Sequence, residues 1–339
     1  SNHATTTDHR IFGSETKNKE FKDIQVNFVP GDYFACGYYR IRNPFNKLYS
    51  SCKATLSPAG RFHYYGQDYI YTQRICSSET FELLLKLKEQ TGVKFICDYD
   101  DDTWHELPSY NRCQIHHEEN FKGMSMYLDK LADKVTCTND FLKENLSQFL
   151  PKEKIEVVPN CLDFNTWRFD RYKAPEETSF FYAGSPTHYD DKSYGDFPKG
   201  VVEYLKNKPV RIMGIKPWFI NTNMVTPWIA IEDYPIQFAK NALQTKFILT
   251  FIEDNYFGNC KSDLKYLESA AVGRVCLCSD ISTYAIAHPY QKVPNNVTKQ
   301  TFRYIVDRAN DNYEMLLNYQ YQKLQERWCT KERYLKLFE

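Results

Sequence analysis

The stretch Leu249–Tyr284 admits few folds. Leu249, Phe251 and Ile252 close an apolar run, which Asp254, Asn255, Gly258 and Asn259 then break. Ser262 is placed as a helix N-cap, with Asp263 in the first turn. Leu264, Leu267 and Ala271 fall on one face of that helix. Gly273 is placed to cap its C-terminal end. Val275–Cys278 follows as an unbroken apolar run, the pattern of a strand buried on both faces. The order is strand, loop, helix, strand.

The polar residues of this helix carry the chemistry. Lys261, Lys265 and Glu268 are spaced by four and then three, so they line one face near the helix start. Free backbone N–H groups, the helix dipole and two ammoniums would converge there, an arrangement suited to a diphosphate. Glu268 lies about two turns further in, where a carboxylate can accept both hydroxyls of a ribose. On spacing alone the plainer reading is preferred, a solvated face with an i,i+3 salt bridge.

The wording around the helix adds a second line of argument. FxxCKSDLKYLExAAxGxxxxxSDIxxY resembles the donor-site signature of GT-B glycosyltransferases, especially the CgeB-like and family-4-like proteins common in bacteriophages. That resemblance implies that Lys261 and Ser262 hold the diphosphate of a nucleotide sugar and that Glu268 holds its ribose. The family usually carries a further Glu eight positions before this one, and the chain has Cys260 there. The usual contact to the transferred sugar is therefore missing from the pattern.

The chain has 339 residues, enough for two domains, and a formal net charge of zero. No bulk field draws it to nucleic acid or to a membrane surface, and no run is long and apolar enough to span a bilayer. The N-terminus lacks a hydrophobic signal region, and Ser1 and Asn2 look like the scar of a cleaved tag. The eleven cysteines are scattered without a CxxC pair, and Cys97, Cys137, Cys276 and Cys278 sit in apolar runs. They read as reduced, small apolar residues of a cytoplasmic protein, neither a disulfide framework nor a zinc site.

Residues 1–20 are polar and expected to fray. Ile24–Val29 reads as the first strand, ended by Pro30 and Gly31. Tyr38–Arg42 follows a loop, with Pro44 placed to start a helix. The wording PGDYFACGYYRIRNP is similar to the first loop of the phage glycosyltransferases, which borders the acceptor cleft; an ordinary strand–helix turn accounts for it equally well. Between Cys36 and Arg74 stand six cations (Arg40, Arg42, Lys47, Lys53, Arg61 and Arg74) against one acid, Asp68. Tyr38, Tyr39, Phe45, Tyr49, Phe62, Tyr64 and Tyr65 are interleaved. Basic residues mixed with aromatics suit a polyanionic or base-stacking partner, although most such charges simply face solvent.

Val93–Cys97 reads as a buried strand that delivers Asp98, Asp100, Asp101 and Asp102. Acids beyond a parallel strand stand where α/β enzymes do chemistry, and mutual repulsion is expected to raise at least one carboxyl pKa. A metal-binding DxD, a helix cap and the cleft-facing DxDDxxW segment of the phage GT-B proteins all fit, and the downstream signature favours the last. His116–Glu119 reads as a surface helix start. Lys134–Thr138 and Ile155–Val158 read as strands, and Pro159–Asp163 is similar to the VPNGVD segment that closes the first domain of family-4-like enzymes, with Cys161 in place of Gly. Residues 164–178 look like a linker. Phe180–Gly184 opens the second domain, and GSPTHYDD resembles the donor-side glycine loop, where Gly184 would let the backbone approach a phosphate. Val210–Gly214 and Trp228–Ile231 read as strands, and Phe302–Tyr319 as a helix.

The resulting expectation is an α/β protein of GT-B type, two Rossmann-like domains facing across a cleft. The acceptor domain spans 20–170, the nucleotide-sugar donor domain 176–312, and a C-terminal helix, 313–339, crosses back to the first. A nucleotide-diphosphate sugar, with UDP as nucleotide, is the co-substrate; no cofactor, metal or membrane is implied. The donor-binding candidates are Gly184, Ser185, Lys261, Ser262, Lys265 and Glu268. Asp100, Asp101 and His188 are the catalytic candidates, and Tyr38, Arg40, Arg42 and Asp98 the acceptor-binding ones. The phage-like wording and the basic aromatic window make a hydroxymethylated base in double-stranded DNA an acceptor to test, beside saccharides and proteins. A non-catalytic nucleotide-sugar or polyanion-binding module is the rival.

Overall fold

A computed structural model describes residues 19–113 and 115–339. The expectations for the first 18 residues lie outside the described ones. Twelve strands form among them: β1 Gln25–Val29, β2 Lys53–Leu56, β3 Tyr69–Gln73, β4 Lys94–Tyr99, β5 Ala132–Cys137, β6 Ile155–Val157, β7 Phe180–Gly184, β8 Val210–Gly214, β9 Val225–Thr226, β10 Phe247–Thr250, β11 Val275–Ser279 and β12 Lys292–Val293. They make two six-stranded sheets, ordered β2-β1-β3-β4-β5-β6 and β12-β11-β10-β7-β8-β9. Every pairing is parallel. Helices cover such sheets on both faces, which is why β3, β7, β10 and β11 are buried along their whole length.

The chain divides into two compact units. The first runs to Glu106 and adds His116–Val158 and Thr330–Glu339; the second comprises Leu107–Ile115 and Pro159–Cys329. In the second, Phe180, Phe247, Leu249, Val275 and Leu277 of the central strands pack against Phe302, Ile305 and Val306 of the helix Lys299–Asp311. No helix of the described residues is long and apolar enough to cross a membrane.

Several local expectations change. Strand β2 lies at the edge of its sheet with mostly exposed residues, so it has no apolar pattern to read. The chain turns helical at Ala35, before Pro44, with a π-helical stretch over Tyr38–Arg42. Val225–Thr226, rather than Trp228–Ile231, forms the edge strand β9. The C-terminal helix is interrupted at Asn312, between Lys299–Asp311 and Tyr313–Gln325. Tyr313–Gln325 packs on the helix Leu264–Val272 of its own unit, and Thr330–Glu339 belongs to the first unit. The stretch read as a linker holds the helix Phe164–Trp167, and Trp167 is fully buried against Tyr234 and Phe238.

The cysteines need a correction of chemistry. Cys161 and Cys329 form a disulfide, with Cα atoms 5.1 Å apart and 168 residues of sequence between them. Strand-like pairing of Leu162 with Trp328 sets the two backbones side by side, and hydrogen bonds join Cys329 N to Leu162 O and Leu162 N to Arg327 O. The other nine are free thiols.

Candidate functional site

Numbered within the second unit, its strands stand in the order 6-5-4-1-2-3, so the chain reverses direction across the sheet where β7 meets β10. Ligands of open parallel sheets bind beyond the strand C-termini at such a switch point. Two segments leave the sheet there: the loop after β7, and the loop after β10, which leads to the helix Leu264–Val272.

That helix begins one turn-position later than its sequence implies. Asp263, not Ser262, holds the N-cap position, and its side chain makes no capping bond. Ser262 Oγ instead accepts from Asn160 Nδ2 at 2.7 Å. Asp263 pairs with Arg327 through two bonds of 2.8 and 2.9 Å, and Arg327 also donates to the Asn160 carbonyl at 2.5 and 2.7 Å. The backbone around Asn160 is thus tied directly to the helix start, next to the Cys161–Cys329 bond. At the far end Gly273 adopts φ 72°, the left-handed cap its position suggested.

Glu268 is only 1% exposed. It accepts from the Tyr234 hydroxyl at 2.6 Å and pairs with Lys265 at 3.4 Å. The i,i+3 bridge therefore exists, but it is buried rather than solvated. Lys265 also hydrogen-bonds the Tyr234 hydroxyl and lies 4.9 Å from that ring and 5.5 Å from Phe238. Its ammonium thus contacts Glu268 and the aromatic pair. Lys261 precedes the helix and lies 4.5 Å over the Phe257 ring.

The loop after β7 carries Gly184, Ser185 and His188. A Cβ at Gly184 would fall 2.2 Å from the Tyr182 hydroxyl, so the missing side chain makes room for Tyr182, two residues back on the same strand face. Ser185 Oγ is bonded to Thr187 Oγ1 at 2.6 Å. His188 ends the short turn Pro186–His188, and its Nδ1 lies 2.7 Å from Asp196 Oδ2. Asp196 Oδ1 accepts from the Tyr110 hydroxyl at 2.6 Å and from the Glu253 N–H at 2.8 Å. Sequence reading missed Asp196 and Tyr110. Both stand in irregular segments, 86 residues apart, where no periodicity marks a side chain as inward-facing.

In the first unit two of the four acids at the end of β4, Asp98 and Asp100, are committed to arginines. Asp98 is fully buried and takes Arg40 through bonds of 2.6, 3.0 and 3.2 Å, with Thr136 as a further donor at 2.6 Å. Arg40 also donates to the Val158 carbonyl at 2.6 Å. These two expected acceptor contacts are a core ion pair. Burial, more than neighbouring acids, pushes the Asp98 carboxyl up. Asp100 behaves oppositely to expectation. Burial alone would push its carboxyl up, but Arg74, bonded to it at 2.9 and 3.0 Å, outweighs this and holds it well below the usual carboxylate range. Such a carboxylate is a weak base. Asp101 is half-buried beside it. Asp102, also buried, accepts from Trp104 N, His105 N and Asn145 Nδ2 and fixes the turn. Tyr38 and Arg42 are half-buried, with the Arg42 guanidinium 5.3 Å over the Tyr38 ring.

Two parallel six-stranded sheets with these helices define the α/β class, and the GT-B fold within it. Solved structures share the architecture along nearly the whole chain. Sucrose-phosphate synthase of Thermosynechococcus elongatus superimposes with a TM-score of 0.64 at 11% identity, over 93% of this chain and 97% of its own. The Anabaena protein HepE, solved with UDP-glucose, gives 0.62 at 9% identity over 93% and 98%. The lipopolysaccharide outer core galactosyltransferase WaaB gives 0.55 at 13% over 93% and 98%. No family model matches the chain, and no curated protein matches it in sequence.

Proposed function

We propose that the protein is a glycosyltransferase that binds a nucleotide-diphosphate sugar, with UDP as nucleotide, on its second unit and transfers the sugar to a hydroxyl. One observation carries the reading. Glu268 is buried one turn inside the helix that follows the switch-point strand β10, with its carboxylate held by Tyr234 and Lys265. A buried carboxylate preorganised by its neighbours suits the paired hydroxyls of a ribose. The helix start, with Lys261 beside it, then receives the diphosphate. That the Anabaena protein HepE, which shares this fold, was solved in complex with UDP-glucose supports the reading.

In this reading the leaving diphosphate is neutralised by Lys261 and the helix end, without a metal ion. The base that takes the acceptor proton is His188, since Asp100 is engaged with Arg74 and weakened as a base. The acceptor is a hydroxyl compound. A hydroxymethylated base in DNA belongs to the panel, although two of the six cations of the basic window, Arg40 and Arg74, are tied to Asp98 and Asp100. The deciding experiment incubates radiolabelled nucleotide sugars with saccharide, protein and modified and unmodified DNA acceptors, with and without EDTA. Label transfer that survives EDTA supports the reading. Nucleotide binding with no turnover of any donor, hydrolysis included, leaves the non-catalytic module as the better account.

A further inference from the structure

One carboxylate ties together the loops that leave the two strands flanking the switch point. Asp196 accepts through Oδ2 from the ring of His188, in the loop after β7, and through Oδ1 from the Glu253 N–H, just after β10. The Tyr110 hydroxyl completes the cage on Oδ1. Asp196 is 6% exposed, whereas the His188 side chain keeps 23% of its surface open. The loop is built for this contact. Gly195 adopts φ 55°, and a Cβ there would fall 2.0 Å from the His188 carbonyl oxygen. That close approach lets the Asp196 N–H donate to the same carbonyl at 2.8 Å. The Tyr110 phenol is pushed well above its ordinary value, by burial first and then by the Asp196 carboxylate, so it remains a donor.

A carboxylate offers only lone pairs, so the ring nitrogen facing it must carry the hydrogen. His188 therefore holds its hydrogen on Nδ1. Its Nε2 makes no hydrogen bond among the described residues. We propose that Asp196, caged by Tyr110 and the Glu253 N–H, is a positioning residue that fixes the tautomer and angle of His188, presenting Nε2 to the acceptor hydroxyl. This rests on the transferase reading above. In the step, the hydroxyl proton passes to Nε2 and the freed oxygen pair forms the bond to the anomeric carbon. The bond from that carbon to the diphosphate oxygen breaks, and its electron pair leaves with the nucleoside diphosphate.

The test joins two readouts. Nitrogen-15 spectra of the histidine-labelled free protein report the tautomer without any donor. Wild type is expected to show His188 protonated on Nδ1, and Asp196→Asn a mixed or reversed state. In transfer kinetics Asp196→Asn is expected to lower kcat by roughly 10²–10⁴-fold, with donor KM unchanged. The double variant His188→Gln/Asp196→Asn should be no slower than His188→Gln alone, as for groups acting as one unit. Tyr110→Phe keeps the carboxylate and should lose less than Asp196→Asn, which keeps the idea testable if the latter fails to fold. Hydrogen on Nε2 in the wild type, undiminished kcat in Asp196→Asn, or losses that multiply in the double variant would each overturn the proposal. If the tautomer is as stated but no donor is turned over, the transferase reading and the base role fall together, while the positioning geometry stands. If transfer occurs with the wrong tautomer, only the positioning falls.

Discussion

Asp98 and Asp100 stand two residues apart on one strand end, yet their environments push them in opposite directions. Removing one member of the buried Arg40–Asp98 pair leaves the other charge uncompensated. Asp98→Asn is expected to cost roughly 3–5 kcal/mol, measured by urea unfolding. Asp100 has a folded pKa held below its ordinary 3.8. The deprotonated form is favoured in the folded state, so its contribution to stability is present above 3.8 and is lost as pH falls below it. Asp100→Asn should therefore flatten the acid limb of a stability–pH curve; an unchanged limb would contradict the Arg74 pairing. The sequence showed a cluster of acids but not their partners. Arg40 is 58 residues from Asp98 and Arg74 is 26 from Asp100, so repulsion among neighbours was visible and the arginines that override it were not.

The helix Leu264–Val272 shows what local pattern does and does not encode. Its glycine cap was legible, because it depends on residues within a turn. The single apolar face read from Leu264, Leu267 and Ala271 was not what formed, since Tyr266–Val272 is buried on every side and Leu264 only half-buried. Gly273→Ala should cost about 1–2 kcal/mol, the price of a left-handed L residue, since the nearest atom to its Cβ is Arg171 Cγ at 3.8 Å and no clash adds to it. Its start was misread because Ser262 is claimed by Asn160, 102 residues away. Glu268 was assigned to the ribose by wording, while the Tyr234 hydroxyl that holds it came only with the fold. Glu268→Gln keeps the shape and loses the charge. It is expected to weaken nucleotide binding and to leave pyrophosphate binding nearly unchanged; equal losses would mean that Glu268 serves only to hold Lys265.

At the scale of the whole chain, alternating strands and helices already implied parallel sheets, and the GT-B fold agrees with that expectation. Strand order was not legible, because it depends on pairings such as β10 with β7 that no local signal records. The Cys161–Cys329 bond was hidden for the same reason. Cys161→Ser is expected to lower stability by about 2–5 kcal/mol in denaturant unfolding, and a dithiol should do the same to the wild type. Because Asn160 is adjacent to Cys161 and bonded to Ser262, that variant should also bind nucleotide less tightly.

The central claim, that the second unit holds a nucleoside diphosphate at the start of the helix Leu264–Val272, is tested most directly by titration calorimetry of UDP and the other nucleoside diphosphates. Saturable binding to the wild type is expected. In Lys261→Ala affinity is expected to fall by roughly 1.5–3 kcal/mol, about 10- to 150-fold, with the thermal unfolding midpoint little changed. Absence of binding by every nucleotide, or equal affinity in Lys261→Ala, would contradict it.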